Sequence, residues 1–363
     1  MAPTRSARCG LCTRPTNWTR SRSDKDTVPV SVALVGPPGA GKTTLFNALT
    51  AGRGADGVGM LDVPDSRLGR LAAAVGPKRI VAAQVRLIDA PPGSRAQRIA
   101  AAREADVVVK VVRGFGGEPD PAGDLEGIEL DLALTDLATV ERRLDVVGRE
   151  ARSGRKQVAG ELAVLERAKA HLDEGRGLGS LHLAGDEAEA LEPVYAVSLK
   201  PSVVVANVDE VGLADERLAA RVKEVARERG AAALVVAAAL EYELSELAPD
   251  EQVEMRDSYG LKESGLAEVT RAVWAAGGLI TYFTAGEPEV RAWPCAREAA
   301  APVAAGVIHS DFEKAFIKAE VTSVDDLVAA GSMDVLRSQG KLRLEGKDYR
   351  VQDGDVMFFR VGR

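Results

Sequence analysis

The chain is poor in the residues that stabilise small secreted proteins or bind zinc. Its 363 residues include three cysteines, three histidines and 4% aromatic residues. Cys9, Cys12 and Cys295 are too few for a disulfide framework, and the histidines have no zinc-like spacing. No apolar run approaches the roughly 20 residues of a membrane-spanning helix, and the sequence has no hydrophobic segment typical of a signal peptide. These absences predict a cytoplasmic protein.

An excess of positive charge is also missing. The net charge is −7 at pH 7, which argues against a generally basic nucleic-acid-binding protein and leaves only a local basic patch open. Hydrophobic residues make up 46% of the chain, which is ample for folded cores. The length predicts two to three domains.

Glycine, in contrast, is concentrated in one informative segment. Residues 36–43 read GPPGAGKT and fit the pattern G-x-x-x-x-G-K-[ST]. The apolar run 30–35 precedes them and a predicted helix over 44–50 follows, which is the context that a phosphate-binding loop requires. Glycines let backbone N–H groups turn towards phosphate oxygens, and the helix start adds partial positive charge. The alternative is a structural glycine-rich turn with a surface lysine.

This loop predicts a set of ligand-binding residues. Lys42 would contact the β- and γ-phosphates and act in catalysis, and the Thr43 hydroxyl would bind Mg²⁺. A strand predicted over 81–88 ends at Asp89, where the sites of α/β proteins gather, so Asp89 is predicted to support the same Mg²⁺. The nucleotide-binding residues predicted in the loop are Gly36, Gly39, Ala40, Gly41, Lys42, Thr43 and Thr44.

The order of apolar patterns predicts the domain organisation. Residues 28–128 and 200–278 alternate strands and helices, as a parallel α/β sheet does. Residues 129–199 contain two amphipathic helices joined by a turn, which predicts an inserted antiparallel hairpin whose outer face is either solvated or a docking arm. Residues 279–363 are predicted to form a small α+β module. Residues 1–27 are polar and predicted to be a disordered tail; its Cys9-Gly-Leu-Cys12 segment is only half of a zinc knuckle.

Several segments together resemble the YchF/Obg-like ATPases. They are Asn207-Val-Asp-Glu210, the inserted hairpin, and residues 63–68, 77–81, 279–286, 289–293, 305–314 and 340–357. The resemblance spans about residues 29–363. It implies an α/β fold with a Ras-like P-loop NTPase domain, a coiled-coil insertion and a C-terminal β-grasp TGS domain. It also implies ATP as ligand, Mg²⁺ as cofactor, ADP as product, and association with the large ribosomal subunit and its RNA.

The resemblance also bears on the choice of base. Ras-like GTPases read guanine with N-K-x-D, whereas this chain has Asn207 and Glu210 in an N-x-x-E motif. Without the aspartate, the paired contact to guanine is lost, and unpaired buried donors are costly. This favours ATP over GTP, with a GTP-using member as the alternative. The backbone N–H groups around Ala238 are expected to face the base.

The chain departs from the family in its switch regions. The segment 51–60 is shorter than usual, has no threonine to complete the Mg²⁺ shell, and is predicted to be mobile because it is rich in glycine. Pro92 replaces a glycine whose N–H would contact the γ-phosphate, and proline has no N–H. Arg53, Arg95 or Arg98 could supply charge instead. These changes predict slow hydrolysis.

Two other functions remain open at this stage. The shortened switches favour a non-hydrolysing, nucleotide-gated adaptor that binds the ribosome through the hairpin and the C-terminal module. The loop by itself also fits a small-molecule kinase, although that class would need an arginine-rich lid. The basic residues after position 313 alternate with acidic ones, which favours a solvated surface of mixed charge over an RNA-binding face.

Overall fold

The computed structural model describes residues 30–90, 95–153 and 158–362. The predicted tail with Cys9 and Cys12, the turn after Ser153, and Pro92 all lie outside the described residues. Within those ranges the strands form two six-stranded sheets. No helix of this part of the chain combines the length and apolarity that crossing a membrane requires.

The first sheet is mostly parallel and has the order β2-β4-β1-β5-β6-β7. Only β2 runs antiparallel, against β4. The central strands are valine-rich and buried on both faces, as parallel strands covered by helices are. The strands of both sheets are β1 (Ser31–Val35), β2 (Val58–Asp62), β3 (Ile80–Val81), β4 (Gln84–Asp89), β5 (Val107–Arg113), β6 (Ser202–Asn207), β7 (Ala232–Val236), β8 (Leu279–Ala285), β9 (Val290–Ala296), β10 (Phe316–Ser323), β11 (Arg343–Glu345) and β12 (Asp355–Val361).

Helices cover both faces of each sheet. Helices α4 and α5 pack against each other through their own apolar cluster and form the inserted hairpin. The helices are α1 (Lys42–Thr50), α2 (Ser66–Val75), α3 (Arg95–Glu104), α4 (Pro121–Arg152), α5 (Ala159–Asp173), α6 (Gly185–Leu191), α7 (Glu210–Leu213), α8 (Glu216–Glu228), α9 (Ala238–Ser245), α10 (Pro249–Ser258), α11 (Gly265–Ala276), α12 (Ala301–Ile308), α13 (Ser310–Lys314), α14 (Val324–Ala330) and α15 (Met333–Ser338). This architecture confirms the predicted α/β fold class.

The strand predicted over 81–88 is wrong in one respect, because the structure divides it between two sheets. β3 pairs in parallel with β9 of the second sheet, with Ile80 opposite Val290. β4 pairs with β1 in the first sheet. A mostly apolar stretch such as 81–88 indicates extended residues, but it does not show which strands they pair with.

The long helix α4 starts earlier than the spacing of leucines from Leu130 predicts. It begins at Pro121, and proline is favoured in the first turn because its missing N–H would have no partner there. The first part of α4 packs Leu125 and Leu132 on the first sheet, while Val140 and Val147 pack within the hairpin. One continuous helix therefore joins the nucleotide-binding sheet to the hairpin.

Buried polar groups fix the point where the insertion returns to the sheet. Asp136 on α4 is 1% exposed, and its carboxylate accepts hydrogen bonds from the N–H groups of Val197 and Ser198 at 2.7 and 2.8 Å and from the Ser198 hydroxyl at 2.6 Å. Burial raises the pKa of Asp136 despite these donors. The ammonium of Lys200 donates to the carbonyls of Ala102 and Ala105, which caps the end of α3.

The two sheets share one hydrophobic core. A single cluster includes Leu71 of α2, Val324 and Leu327 of α14, and Phe283 of β8, all buried. The same cluster includes Val85 and Leu87 of β4 in the first sheet, and α2 lies against β8 and β9 of the second. The C-terminal sheet is therefore packed on the nucleotide-binding sheet.

A network centred on Arg67 of α2 reinforces this contact. The guanidinium donates to Asp353 at 2.7 Å and to Asp65 at 2.7 Å, and lies 5.3 Å from the centroid of the Phe283 ring. The hydrogen bonds that Arg67 donates to Asp65 and Asp353 raise the pKa of Arg67. Burial opposes ionisation of Asp353, but hydrogen bonds from Arg67 and from the Thr281 N–H outweigh it and hold the pKa of Asp353 below its ordinary value.

Replacing Arg67 by lysine should destabilise the contact between the sheets. Lysine cannot donate in the fixed planar fork that reaches both Asp65 and Asp353. Since hydrogen bonds to charged groups contribute about 1.5–3 kcal/mol each, we expect Arg67→Lys to lower the free energy of unfolding by about that amount in denaturant titrations. The control is Arg70→Lys, because the Arg70–Asp325 pair is highly exposed and should contribute less than about 1 kcal/mol. Equal losses in the two variants would contradict this role of Arg67.

The same network should contribute to stability in a pH-dependent way. The folded-state pKa of Asp353 lies below its ordinary value of 3.8, so its contribution is fully present above 3.8 and is lost as the pH falls from there through the lower folded-state pKa. We expect the difference in stability between the wild type and Asp353→Asn to be largest near neutral pH and to shrink between about pH 5 and pH 3. Thermal unfolding across this range measures it. A difference that is constant with pH would show that Asp353 acts through packing alone.

Candidate nucleotide-binding site

The glycine-rich loop joins β1 to α1 and is shaped by close backbone contacts. Gly41 precedes α1 with φ of 81°, in the left-handed region that favours glycine. A Cβ on Gly36 would lie 2.2 Å from the carbonyl oxygen of Val111, so the start of the loop is pressed against β5. Larger side chains at either position would deform the loop, which explains why the pattern needs glycine at its two ends.

The ammonium of Lys42 lies within the curve of the loop. Its Nζ donates to the carbonyl oxygens of Gly36 at 3.1 Å and of Pro37 at 2.8 Å. These contacts hold the positive charge beside the backbone that would surround a phosphate. The contact of Lys42 with phosphate oxygens stays a prediction.

Thr43 and Asp89 meet beside this loop, as the prediction of a shared metal site requires. The Thr43 hydroxyl donates to Asp89 Oδ2 at 2.7 Å. Asp89 is 7% exposed, and its Oδ1 is buried with no hydrogen-bond partner among the described residues. A buried carboxylate oxygen without a partner is costly, and a hard cation is a group that would satisfy it. The residues present therefore fit a Mg²⁺ ion.

Asn207 connects the glycine-rich loop to the start of α9. Its side chain is buried, donates to the carbonyl oxygen of Ala40 at 3.1 Å, and accepts from the N–H of Ala238 at 3.1 Å. A Cβ on Gly41 would lie 2.0 Å from the Asn207 amide nitrogen. The Ala238 N–H that was predicted to face the base is thus engaged by Asn207, and both ends of the Asn207 amide position the site.

Glu210 stands apart from this buried cluster. It is the first residue of α7 and is exposed to solvent. The preceding Val208 is buried, and Asp209 accepts the N–H of Gly212 at 2.9 Å, which caps the helix. In this motif the Asn207 side chain is buried, Val208 and Asp209 lead into the capped start of α7, and the Glu210 carboxylate is exposed to solvent.

The shortened switch segment differs from the mobile loop that its composition predicts. The N–H groups of Ala55 and Val58 each donate to the other residue's carbonyl oxygen at 2.9 Å. Asp56 and Gly57 have φ of 51° and 71°, so residues 55–58 form a type I′ hairpin turn. The Asp-Gly pair is the strongest local signal for this turn, and the many glycines around it obscured that signal.

Of the three arginines suggested as sources of positive charge for the phosphates, only Arg53 has a side chain among the described ones. Arg53 is 70% exposed and lies 3.7 Å from Asp62, so its charge is directed to β2. The side chains of Arg95 and Arg98 are outside the described residues, and their role stays a prediction.

Phe115 is a residue that sequence reasoning missed. It is half-buried after β5, and its ring lies 3.7 Å from the position of a Cβ on Gly41. The edge of this ring therefore lies beside the glycine-rich loop. A single aromatic in a run of glycines gave no periodic signal.

Comparison with known proteins adds independent support for the nature of this site. A family model described as 50S ribosome-binding GTPase matches residues 31–146. The model for the C-terminal part of YchF GTPases, described as a protein of unknown function, matches residues 279–362. Together these matches cover the glycine-rich loop and the second sheet.

Whole-chain relatives agree with these partial matches. The chain is 40% identical to the ribosome-binding ATPase YchF of Haemophilus ducreyi, over 90% of this chain and 98% of that protein. It is 36% identical to the ribosome-binding ATPase YchF of Bacillus subtilis, over 91% of this chain and 99% of that protein.

Solved structures agree with the fold. The YchF GTPase of Schizosaccharomyces pombe superimposes with a TM-score of 0.82 at 26% identity, covering 93% of this chain and 99% of that chain. A GTP-binding protein of Pyrococcus horikoshii, at 21% identity and a TM-score of 0.62, supports the fold alone. With identity of 36–40% to curated relatives over nine-tenths of its length, the chain belongs to the YchF family.

Proposed function

We propose that this chain is a cytoplasmic, ribosome-associated P-loop NTPase that binds ATP with Mg²⁺ and hydrolyses it slowly to ADP and phosphate. The observation that carries the proposal is the contact between Thr43 and Asp89 beside the glycine-rich loop, with one buried carboxylate oxygen left for a cation. A structural turn with a surface lysine would not need this carboxylate.

Each part of the site has a definable task. The N–H groups of residues 36–44 would surround the phosphates, and the Lys42 ammonium would move from the loop carbonyls to the β- and γ-phosphate oxygens. Thr43 and Asp89 would hold Mg²⁺, which when bound neutralises phosphate charge. Asn207 would keep the loop in register with α9 through its two hydrogen bonds.

The preference for ATP rests on the second half of the N-x-x-E motif. Glu210 has a longer side chain than the aspartate that reads guanine, and it begins the short helix α7. A guanine base would leave its N1 and N2 donors poorly paired, whereas adenine has no such donors to satisfy. The Phe115 ring would stack on either base, so it would not discriminate between adenine and guanine.

The proposed association with the ribosome rests on the relatives, which are named ribosome-binding ATPases. The described C-terminal surface does not support a basic RNA-binding face, because its arginines are matched by carboxylates. Arg337 and Arg360 both contact Glu320, and Arg343 contacts Asp355. Association with the large subunit would therefore depend on shape and on the hairpin as much as on charge.

A non-hydrolysing adaptor is the second candidate, and one observation favours it. Residues 55–58 form a closed turn on the sheet instead of offering a threonine to the metal. Such a site could hold nucleotide firmly while positioning the attacking water poorly, and phosphoryl transfer is largely a matter of positioning.

Turnover and affinity measured together distinguish these two candidates. We expect ATP to bind more tightly than GTP, and turnover to fall at least about 100-fold in Lys42→Ala, because phosphate charge stabilisation is lost. Turnover no higher than in Lys42→Ala, with tight ATP binding, would establish the adaptor. Failure of both nucleotides to bind would overturn the proposal.

Gly41→Ala should abolish nucleotide binding while leaving the fold in place. The added Cβ would collide with the Asn207 amide and would sit at a positive φ that alanine disfavours. The control is Gly76→Ala, because Gly76 follows α2 outside the glycine-rich loop, also has a positive φ of 63°, and has no atom within 4 Å of its Cβ position. Calorimetric titration with ADP measures the difference. Similar affinity in the two variants would show that the contact between Gly41 and Asn207 is unimportant.

A further inference from the structure

We propose that Gly57 is a positioning residue for Asp89, so that the turn 55–58 sets the place of the metal-binding carboxylate. The inference rests on the proposed function, because the position of Asp89 matters for binding only if Asp89 supports a nucleotide-bound cation. Gly57 contacts Asp89 through the backbone, so any effect of Gly57 on the site is exerted through Asp89.

The first argument is the contact between the two backbones. The N–H of Asp89 donates to the carbonyl oxygen of Gly57 at 2.8 Å. A Cβ built on Gly57 would lie 2.3 Å from the carbonyl oxygen of Asp89, a distance that real side chains do not tolerate. Because the obstacle is backbone, no rotation of a side chain would relieve it. Any residue other than glycine must therefore displace either the turn or Asp89.

The second argument is that the turn cannot easily move away. It is closed by the two hydrogen bonds between Ala55 and Val58, and it continues directly into the pairing of β2 with β4, where Val58 lies opposite Ile88. The residue paired with Val58 is thus the one before Asp89. A shift of the turn would be transmitted along this ladder to the end of β4.

The third argument is that the same segment also rests on α1, the helix that carries Thr43. A Cβ on Gly54 would lie 2.3 Å from the ring of Phe46, and one on Gly59 would lie 2.4 Å from the Thr50 methyl group. The segment is therefore pressed against α1 on one side and against β4 on the other. It fixes the separation of Thr43 and Asp89, which are the two residues that would hold Mg²⁺.

These contacts give the shortened switch segment, residues 51–60, a supporting role that its glycine-rich composition does not indicate. It has no threonine to bind the metal, but it braces the strand end and the helix that carry the two side chains proposed to do so. Loss of such supporting contacts around a metal ligand typically costs 10–100-fold in metal affinity. The effect should appear in the Mg²⁺-dependent part of nucleotide affinity and not in the part supplied by the phosphate-binding loop.

The test compares Gly57→Ala with Gly76→Ala. Gly76 has φ of 63° and no atom within 4 Å of its Cβ position, so it reproduces the backbone strain without the collision. ATP affinity is measured by calorimetry in Mg²⁺ and in EDTA. We expect Gly57→Ala to lose about 10- to 100-fold of its affinity in Mg²⁺, to match the wild type in EDTA, and Gly76→Ala to behave as the wild type in both.

A second variant and a second measurement keep the test independent of folding defects and of nucleotide. Gly57→Asn tolerates the positive φ better than alanine but carries the same Cβ, so it should show the same loss. Hydrogen exchange at the Asp89 amide, measured without nucleotide, should accelerate in both Gly57 variants and not in Gly76→Ala.

The outcomes separate this inference from the proposed function. Suppose that the ATP affinity of the wild type depends on Mg²⁺ and that both Gly57 variants depend on Mg²⁺ equally. That result would overturn the positioning role of Gly57 but not the proposed function. Unchanged exchange at the Asp89 amide would overturn the positioning role as well. A wild-type chain that binds no nucleotide would overturn the proposed function, and the exchange measurement would then decide the positioning role by itself.

Discussion

The geometry of the site depends on where β4 ends. Its last residue, Asp89, is buried, and it contacts the helix after the phosphate-binding loop through Thr43 and the switch turn through Gly57. A buried carboxylate is tolerated only when its oxygens are satisfied, so this residue constrains everything around it. The loop, the turn and the sheet are therefore arranged about one charge, and the remaining oxygen defines where a cation fits.

The helical insertion is held to the same sheet by charges that are also buried. Lys110, whose neighbours along β5 are valines, pairs with Glu129 on α4. Where the chain returns from the insertion, Asp136 accepts a hydrogen bond from the backbone N–H of Val197. Since isolated buried charges are costly, these pairs tolerate little change in the angle of α4. The hairpin is thus anchored to the nucleotide-binding sheet, and the first turns of α4 belong to the core of that sheet.

Much of this could be predicted from the sequence, and the failures share a physical cause. The loop 36–43, Asp89 and Asn207 stand in patterns where spacing and residue type determine position. The two-residue strand β3 has no periodicity to detect, and its partner lies about 200 residues away in sequence. The turn at Asp56-Gly57 had a local signal, but glycine content alone suggested mobility. The outward direction of Glu210 and the approach of Phe115 depend on tertiary packing, which a motif does not encode.

The route of the chain between Gly57 and Asp89 has a mechanical consequence. After Gly57 the chain forms β2, crosses α2 with its Arg67 contacts, adds β3 to the second sheet, and returns along β4 to Asp89. The two ends of this excursion are joined by a hydrogen bond at the nucleotide site. The excursion is therefore a closed loop with one end at Asp89 and its far side built into the C-terminal sheet. A force that tilts the C-terminal sheet, such as docking on a large particle, would pull on both strands at the point where Asp89 is held.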